Sequence, residues 1–202
     1  MRHFAIIPAA GLSRRMPGGD KLLLPWGPVT IIEAVLRAWS ASRVDRVIVV
    51  ARRDDVALHR HVVHQPKTSL VLPAENPSDM RTSIAQGLQF ARRHCAPSAT
   101  DRWMVAPADL PTLSPVLIDH VIEQAETWTQ HIVLPDFSGK GGHPISLPWD
   151  LSHHLLALPP DQGLNALKAS FPMQSFDAGA IGLEEPADID TSADYQRLKP
   201  GP

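Results

Sequence analysis

The feature that most constrains the fold of this chain is a regular alternation of short apolar segments with longer segments of helical periodicity. The apolar run at 4–7 and the β-branched run at 44–51 are typical of strands that are buried on both faces. Between them, Thr30 and Glu33 form a capping box that begins a predicted helix over 30–42. Strands that alternate with helices predict an α/β fold with a mainly parallel central sheet and helices on both faces.

The same rhythm continues along the rest of the sequence. The helical spacing of apolar residues assigns Met80 and Trp128 to the buried faces of two helices. The runs at 132–134 and 144–147 flank a glycine-rich turn, and they are either paired strands of a hairpin or two sides of a site. The other predicted helices lie at 54–63, at 79–94, from 114 onward, at 161–170 and after Thr191, and the other strands lie at 70–72, 103–106 and 174–177.

Length, charge and cysteine content limit the classes of protein that fit. The chain has 202 residues, of which 44% are hydrophobic and 20% are charged, and this suits one compact domain. We expect that domain to cover residues 1–198, with 199–202 as a short tail. A formal charge of -2 argues against a nucleic-acid partner. Cys95 is the single cysteine and no apolar run is long enough to span a membrane, so we expect a cytoplasmic protein without membrane contact.

The loop that follows the first predicted strand has the composition of a polyphosphate site. Gly11 and Ser13 can present backbone N–H groups to phosphate oxygens, and Arg15 and Lys21 can neutralise the charge that develops in phosphoryl transfer. The loop contains neither the glycine pattern of dinucleotide-binding proteins nor that of P-loop proteins. From composition alone, a solvated basic loop is an equal alternative.

A two-part opening signature and four later motifs occur in an order that resembles a known family. The sequence AAGLSRRM begins at Ala9, and KLLLPW begins at Lys21. The later motifs are a helix with Ser83 and Gly87, then DLPTL at 109–113, GHP at 142–144 and DIDT at 188–191. In these motifs the chain is similar to nucleotidyltransferases of the MobA-like fold, and within them it resembles the molybdenum cofactor cytidylyltransferases.

The resemblance implies a three-layer, Rossmann-like nucleotidyltransferase fold with a mixed, mostly parallel sheet. It also implies a reaction that transfers CMP from CTP to the terminal phosphate of molybdenum cofactor, releases pyrophosphate and requires Mg²⁺. A molybdenum hydroxylase, or the chaperone that matures it, is then the expected protein partner.

Site residues follow from the same resemblance, motif by motif. The expected catalytic residues are Arg15, Lys21 and Asp109, and the expected metal ligands are Asp109 and Asp190. Two carboxylates together with phosphate oxygens suit the octahedral oxygen shell of Mg²⁺. The expected nucleotide-binding residues are Ala9, Ala10, Gly11, Ser13, Arg15, Lys21 and Ser83, and the expected acceptor-binding residue is His143. Lys140 lies among glycines next to His143, so its position makes it a second acceptor-binding residue, and a solvated lysine is an equal alternative.

Several alternatives stay open at this point. Asp109 precedes a proline-containing turn, where an Asx-turn is the ordinary reason for an aspartate. Asp190 can equally begin the last helix, and Asp188 can serve as the metal ligand in its place. The chain also departs from the family pattern at Pro17, Ala108 and Asp79, and the charge of Asp79 near a nucleotide site has no explanation in the sequence.

The histidines other than His143 lack zinc-type spacing and are expected at the surface. For the function, the alternatives are a nucleotidyltransferase with a sugar-phosphate acceptor or another base, and a non-catalytic protein that binds and delivers molybdenum cofactor.

Overall fold

The computed structural model describes residues 1–11, 20–159 and 162–201. Its strands are β1 (His3–Pro8), β2 (Pro25–Trp26), β3 (Val29–Thr30), β4 (Arg46–Val50), β5 (Thr68–Val71), β6 (Arg102–Val105), β7 (Ile132–Phe137), β8 (Lys140–Gly141), β9 (Ile145–Pro148) and β10 (Met173–Asp177). Its α-helices are α1 (Ile31–Ala41), α2 (Val56–Val62), α3 (Met80–His94), α4 (Pro115–Thr127), α5 (Leu151–Ala157), α6 (Leu164–Ser170) and α7 (Ser192–Leu198). Short 3-10 helices lie at Lys21–Leu23 and Gly179–Ile181.

The central sheet is mixed and mostly parallel, as expected. Its strand order is β10-β7-β9-β6-β1-β4-β5, and β8 pairs with β7. Strand β1 runs parallel to β4 and β6, β4 runs parallel to β5, and β7 runs parallel to β10. Strand β9 is antiparallel to both of its neighbours, β6 and β7. Strands β2 and β3 form a separate hairpin.

The reversed direction of β9 decides where the loop before it lies. Val105, the last residue of β6, pairs with Ile145, the first residue of β9. The loop that enters β9 therefore lies beside the loop that leaves β6. Ligands of such sheets bind at the carboxyl ends of the parallel strands. Asp109 follows β6 and His143 precedes β9, so both residues lie at that edge of the sheet.

Alternate residues of β1 pack into two separate apolar layers. Ala5 and Ile7 belong to the layer under α1, α2 and α4, whereas Phe4 and Ile6 belong to the layer under α3 and α5. The expected three-layer arrangement is thus confirmed. Helix α3 lies very close to the sheet at Gly87, where an added Cβ would be 2.6 Å from Ile6 Cγ2.

Several sequence-based expectations need correction. Trp128 follows the last residue of α4 and is 38% exposed, so it does not complete the buried face of that helix. His3 is 2% exposed, contrary to the expectation that the histidines other than His143 lie at the surface. The helix predicted at 161–170 begins at Leu164, and residues 160 and 161 lie outside the described residues. No helix in the described ranges is long and apolar enough to cross a membrane.

Candidate functional site

The chain leaves β1 at the carboxyl edge of the sheet. Ala9 N donates to Val50 O at 2.8 Å, which continues the pairing of β1 with β4 beyond the strand itself. Ala10 is buried, whereas Gly11 is exposed and an added Cβ there would meet no atom within 4 Å. Ser13 and Arg15, expected to hold the triphosphate, lie outside the described residues.

Beyond that segment, the structure brings together a lysine and two aspartates, which we call the Lys21 cluster. Lys21 Nζ lies 2.5 Å from Asp109 Oδ2 and 3.4 Å from Asp190 Oδ1. The side chains of Lys21 and Asp109 are only 16% and 17% exposed, and that of Asp190 is 44% exposed. Three residues that the family motifs single out, from three distant parts of the sequence, therefore meet in one place.

Backbone contacts explain why the two aspartates are adjacent. Ile189 N donates to the backbone oxygen of Asp109 at 3.1 Å, and Ile189 itself is fully buried. The N-cap of α7 is Thr191, so Asp190 does not cap this helix. Asp188 is exposed, and its charge acts on His143. The pairing with Lys21 thus favours Asp190 over Asp188 as the second acidic residue of the site.

The electrostatics of the Lys21 cluster suit a cation-binding site. Burial alone lowers the pKa of Lys21, but the hydrogen bonds and charges of Asp109 and Asp190 outweigh it, so the pKa is raised above its ordinary value. Asp109 Oδ1 is buried and has no hydrogen-bond partner among the residues that the structure describes. This oxygen does not make the Asx-turn that the sequence offered as an alternative.

A divalent cation would fit this arrangement through oxygen ligands. The described residues contain no group of three or more His, Cys, Asp or Glu that could hold a metal by itself. Asp109 and Asp190 would therefore supply part of the coordination shell, with substrate phosphate oxygens and water completing it.

A small cavity lies between the end of β1 and the start of α3. Its volume is about 100 Å³, and its walls are Pro8, Ala10, Gly11, Pro77, Asp79, Met80 and Ser83. Ser83 is 3% exposed and donates from its hydroxyl to the backbone oxygen of Asp79 at 3.2 Å. The cavity thus joins the expected nucleotide residues Ala10, Gly11 and Ser83.

The structure explains the charge of Asp79. Its Oδ1 accepts from Thr82 N at 2.7 Å, which caps α3, and its Oδ2 accepts from the Ser78 hydroxyl at 2.9 Å. The hydrogen bond from the Thr82 backbone is the main reason that the pKa of Asp79 is lowered. The carboxylate therefore has a structural role at the start of the helix that lines the small cavity.

A second, larger cavity lies on the other side of Met80. Its volume is about 510 Å³, and its walls are Met80, Arg81 and Ile84 of α3, residues 141–143 and 145 around the start of β9, and residues 162–166 and 168 around α6. Met80 is 50% exposed and lines both cavities. The expectation that Met80 belongs to the core is therefore wrong, because Met80 begins α3 and lines both cavities instead of packing against the sheet.

Close packing at two glycines shapes the loop before β9. An added Cβ would be 2.6 Å from Leu134 Cδ1 at Gly141 and 2.7 Å from Phe137 Cε2 at Gly142. His143 follows and is half-buried, and its Nδ1 is buried without a hydrogen-bond partner in the described ranges. Burial is the main cause that lowers the pKa of His143, and the charge of Lys168 lowers it further.

The two lysines near this cavity differ in position. Lys140 lies on β8, is exposed and does not line the large cavity. Lys168, on α6, does line it and was not identified from the sequence. Arg81 is also in the wall, but its Nη2 donates to Leu158 O at 2.5 Å and to Leu155 O at 3.3 Å.

Comparison with known proteins gives the family. The sequence matches the MobA-like NTP transferase domain over residues 5–174. It is 32% identical over 133 residues to a 2-C-methyl-D-erythritol 4-phosphate cytidylyltransferase of Halorhodospira halophila (strain DSM 244 / SL1), a match that covers 61% of this chain and 52% of that protein. It is 28% identical over 202 residues to the purine catabolism protein PucB of Bacillus subtilis (strain 168), covering 95% and 93% of the two chains.

Solved structures share the fold over almost the whole chain. A nucleotidyl transferase from Methanothermobacter thermautotroptrophicus superposes with a TM-score of 0.77 at 21% identity, covering 98% of this chain and 96% of that one. The protein Rv0371c of Mycobacterium tuberculosis H37Rv superposes with a TM-score of 0.75 at 23% identity, covering 98% of each chain.

Proposed function

Because the chain belongs to the MobA-like NTP transferase family, and is thus a nucleotidyltransferase, we propose that it transfers CMP from CTP to the terminal phosphate of molybdenum cofactor. In this reaction an oxygen of the acceptor phosphate attacks the α-phosphorus of CTP. The bond from that phosphorus to the bridging oxygen breaks, and pyrophosphate leaves. The acceptor is already an ionised phosphate, so the reaction requires no general base.

The observation that carries the proposal is the arrangement of two cavities at one edge of the sheet. The small cavity adjoins Ala10, Gly11 and Ser83, where the family motifs expect the nucleotide. The large cavity adjoins His143, where they expect the acceptor, and Met80 lies in the walls of both. A nucleotide and a second substrate bound in these cavities would thus meet beside Met80.

The Lys21 cluster supplies the charge that such a reaction needs. With a raised pKa, the Lys21 ammonium stays protonated at neutral pH and can stabilise the negative charge on the departing pyrophosphate. Mg²⁺, which we propose Asp109 and Asp190 hold, would supply further positive charge to the triphosphate. Catalysis by this chain then consists of alignment and charge neutralisation.

Two observations support cytosine as the base and a cofactor as the acceptor. One relative carries the name of a cytidylyltransferase, which supports cytosine as the base. The PucB relative is named for purine catabolism, which is compatible with a product that serves a hydroxylase. A molybdenum hydroxylase or its chaperone is the partner that we propose.

The test is pyrophosphate release with Mg²⁺ and each of CTP, GTP, UTP and ATP, with and without molybdenum cofactor, and with a panel of sugar phosphates. We expect pyrophosphate release only when CTP and molybdenum cofactor are both present. Asp109→Asn serves as the inactive control, since it keeps the size of the side chain and removes its charge.

Each other outcome identifies one of the alternatives. Release with a sugar phosphate would replace the acceptor and keep the chemistry. Release with GTP would replace the base. Binding of the cofactor without any release would favour a delivery protein, and would refute the proposed reaction.

A further inference from the structure

The charged side chains in the walls of the large cavity are positive. Of the residues lining it, Arg81 and Lys168 are cationic and none is an aspartate or glutamate, within the part of the chain that the structure describes. The Arg81 guanidinium is held by two carbonyl oxygens at the end of α5, Leu155 O and Leu158 O. Its position is therefore fixed by the fold, and part of its hydrogen-bonding capacity is already used.

Lys168 differs from Arg81 in having no such partner. Its ammonium makes no hydrogen bond and no ion pair with the described residues, although the side chain is half-buried. Leu167, the preceding residue, is 1% exposed and anchors α6 in the core, so Lys168 is carried by a rigid element. An anion bound in the cavity would give this ammonium a counter-charge and hydrogen-bond acceptors.

The large cavity also places Lys168 near the residue expected to contact the acceptor. Lys168 and His143 both line the cavity, and the positive charge of Lys168 acts on the His143 imidazole. Gly141 and Gly142 line the same cavity. An anion bound in this cavity would therefore lie beside both Lys168 and His143.

We propose that Lys168 binds the phosphate group of the acceptor and, together with His143, selects phosphomonoesters as acceptors. The role of this phosphate as the acceptor of CMP rests on the proposed function. The binding of a phosphate in the large cavity does not depend on which base is transferred or on what the rest of the acceptor is. Lys168 takes the role for which the position of Lys140 in the sequence made it a candidate.

The experiment uses inorganic phosphate as the probe and the imidazole signals of His143 as the readout, in the full-length protein without nucleotide or metal. In the wild type, phosphate should shift these signals in a saturable manner. Lys168→Met keeps an unbranched side chain that is one atom shorter and removes its charge, and it should weaken phosphate binding by about tenfold or more, the size expected for a lost charge-assisted hydrogen bond.

Two variants control this result. Lys168→Arg restores a cation and should bind phosphate within about threefold of the wild type, a difference of under 1 kcal/mol. Lys140→Met removes an exposed lysine outside the cavity and should change nothing. Equal phosphate affinity in Lys168→Met and the wild type would overturn the proposal, as would a loss of affinity in Lys140→Met.

Steady-state kinetics separate this proposal from the proposed function. Lys168→Met should raise the KM for the acceptor by about tenfold or more while the KM for CTP stays the same. If the wild type binds phosphate at His143 but shows no transfer from CTP to molybdenum cofactor, the proposed function fails and the phosphate site stands. If transfer occurs and Lys168→Met leaves the KM for the acceptor unchanged, the assignment of Lys168 fails alone.

Discussion

Acid should destabilise this fold through His3, at the opposite end of β1 from the site. His3 is buried, and Glu126 Oε1 lies 3.8 Å from its Nε2. Burial is the main cause that lowers the pKa of His3 from 6.5 to about 4, and the charges of Arg102 and Arg43 lower it too, while Glu126 and Asp45 act in the opposite direction. The His3 imidazole therefore binds a proton less readily in the folded protein than in the unfolded chain.

The sign and size of the effect follow from linkage. Because the folded pKa lies below the unfolded one, the contribution of His3 to stability is complete above pH 6.5 and is lost as the pH falls toward 4. A difference of this size corresponds to about 3 kcal/mol in all, of which about 2 kcal/mol is lost by pH 5.

The assay is urea unfolding at pH 7.5 and pH 5.0 for the wild type, for His3→Phe, which keeps a ring but cannot titrate, and for His64→Gln, which replaces an exposed histidine. The free energy of unfolding should fall by about 2 kcal/mol more in the wild type than in His3→Phe. His64→Gln should behave like the wild type. Equal pH dependence in the wild type and His3→Phe would show that burial does not hold His3 neutral.

Three further predictions concern packing and the site. Gly87→Ala should lower the free energy of unfolding by about 1–3 kcal/mol, because the new Cβ would meet Ile6 at 2.6 Å; thermal denaturation checks this against Gln86→Ala, and a stabilised Gly87→Ala would refute the packing argument. Asp109→Asn should keep its fold by circular dichroism and lower kcat by about a hundredfold or more at saturating CTP and Mg²⁺; near-normal turnover would rule out its role at the metal. Lys21→Met should bind Mn²⁺ more tightly than the wild type without nucleotide, measured by the electron paramagnetic resonance of free Mn²⁺, because the ammonium contacts both carboxylates; unchanged affinity would show that Lys21 and the cation do not compete.

The order of strands and helices could be predicted from the sequence because each pattern reports on local burial. The capping box of Thr30 and Glu33 predicts a helix over 30–42, and α1 runs from Ile31 to Ala41. The hairpin of β2 and β3 could not be found, because two-residue strands contain no periodicity. The direction of β9 could not be found either, since an apolar run has the same pattern in a parallel and an antiparallel strand.

The site could be predicted only where its residues lie in motifs. Lys21, Asp109 and Asp190 are far apart in the sequence, and the structure brings them together. No sequence pattern identifies Lys168 as a site residue, because a lysine on a short helix is usually solvated. Only its place in the wall of the large cavity distinguishes it from Lys140. The expected positions of Ser13 and Arg15 stay predictions.

The two cavities draw on different parts of the sequence. The small cavity is lined by Pro8, Ala10, Gly11 and four residues within 77–83, and most of the large cavity is lined by residues within 141–145 and 162–168. Under the proposed function, and apart from residues of α3, the later stretch would decide which acceptor fits. Mutation or recombination within it would then change the acceptor while the nucleotide half stays intact, so that such a fold would evolve new transferases one substrate at a time.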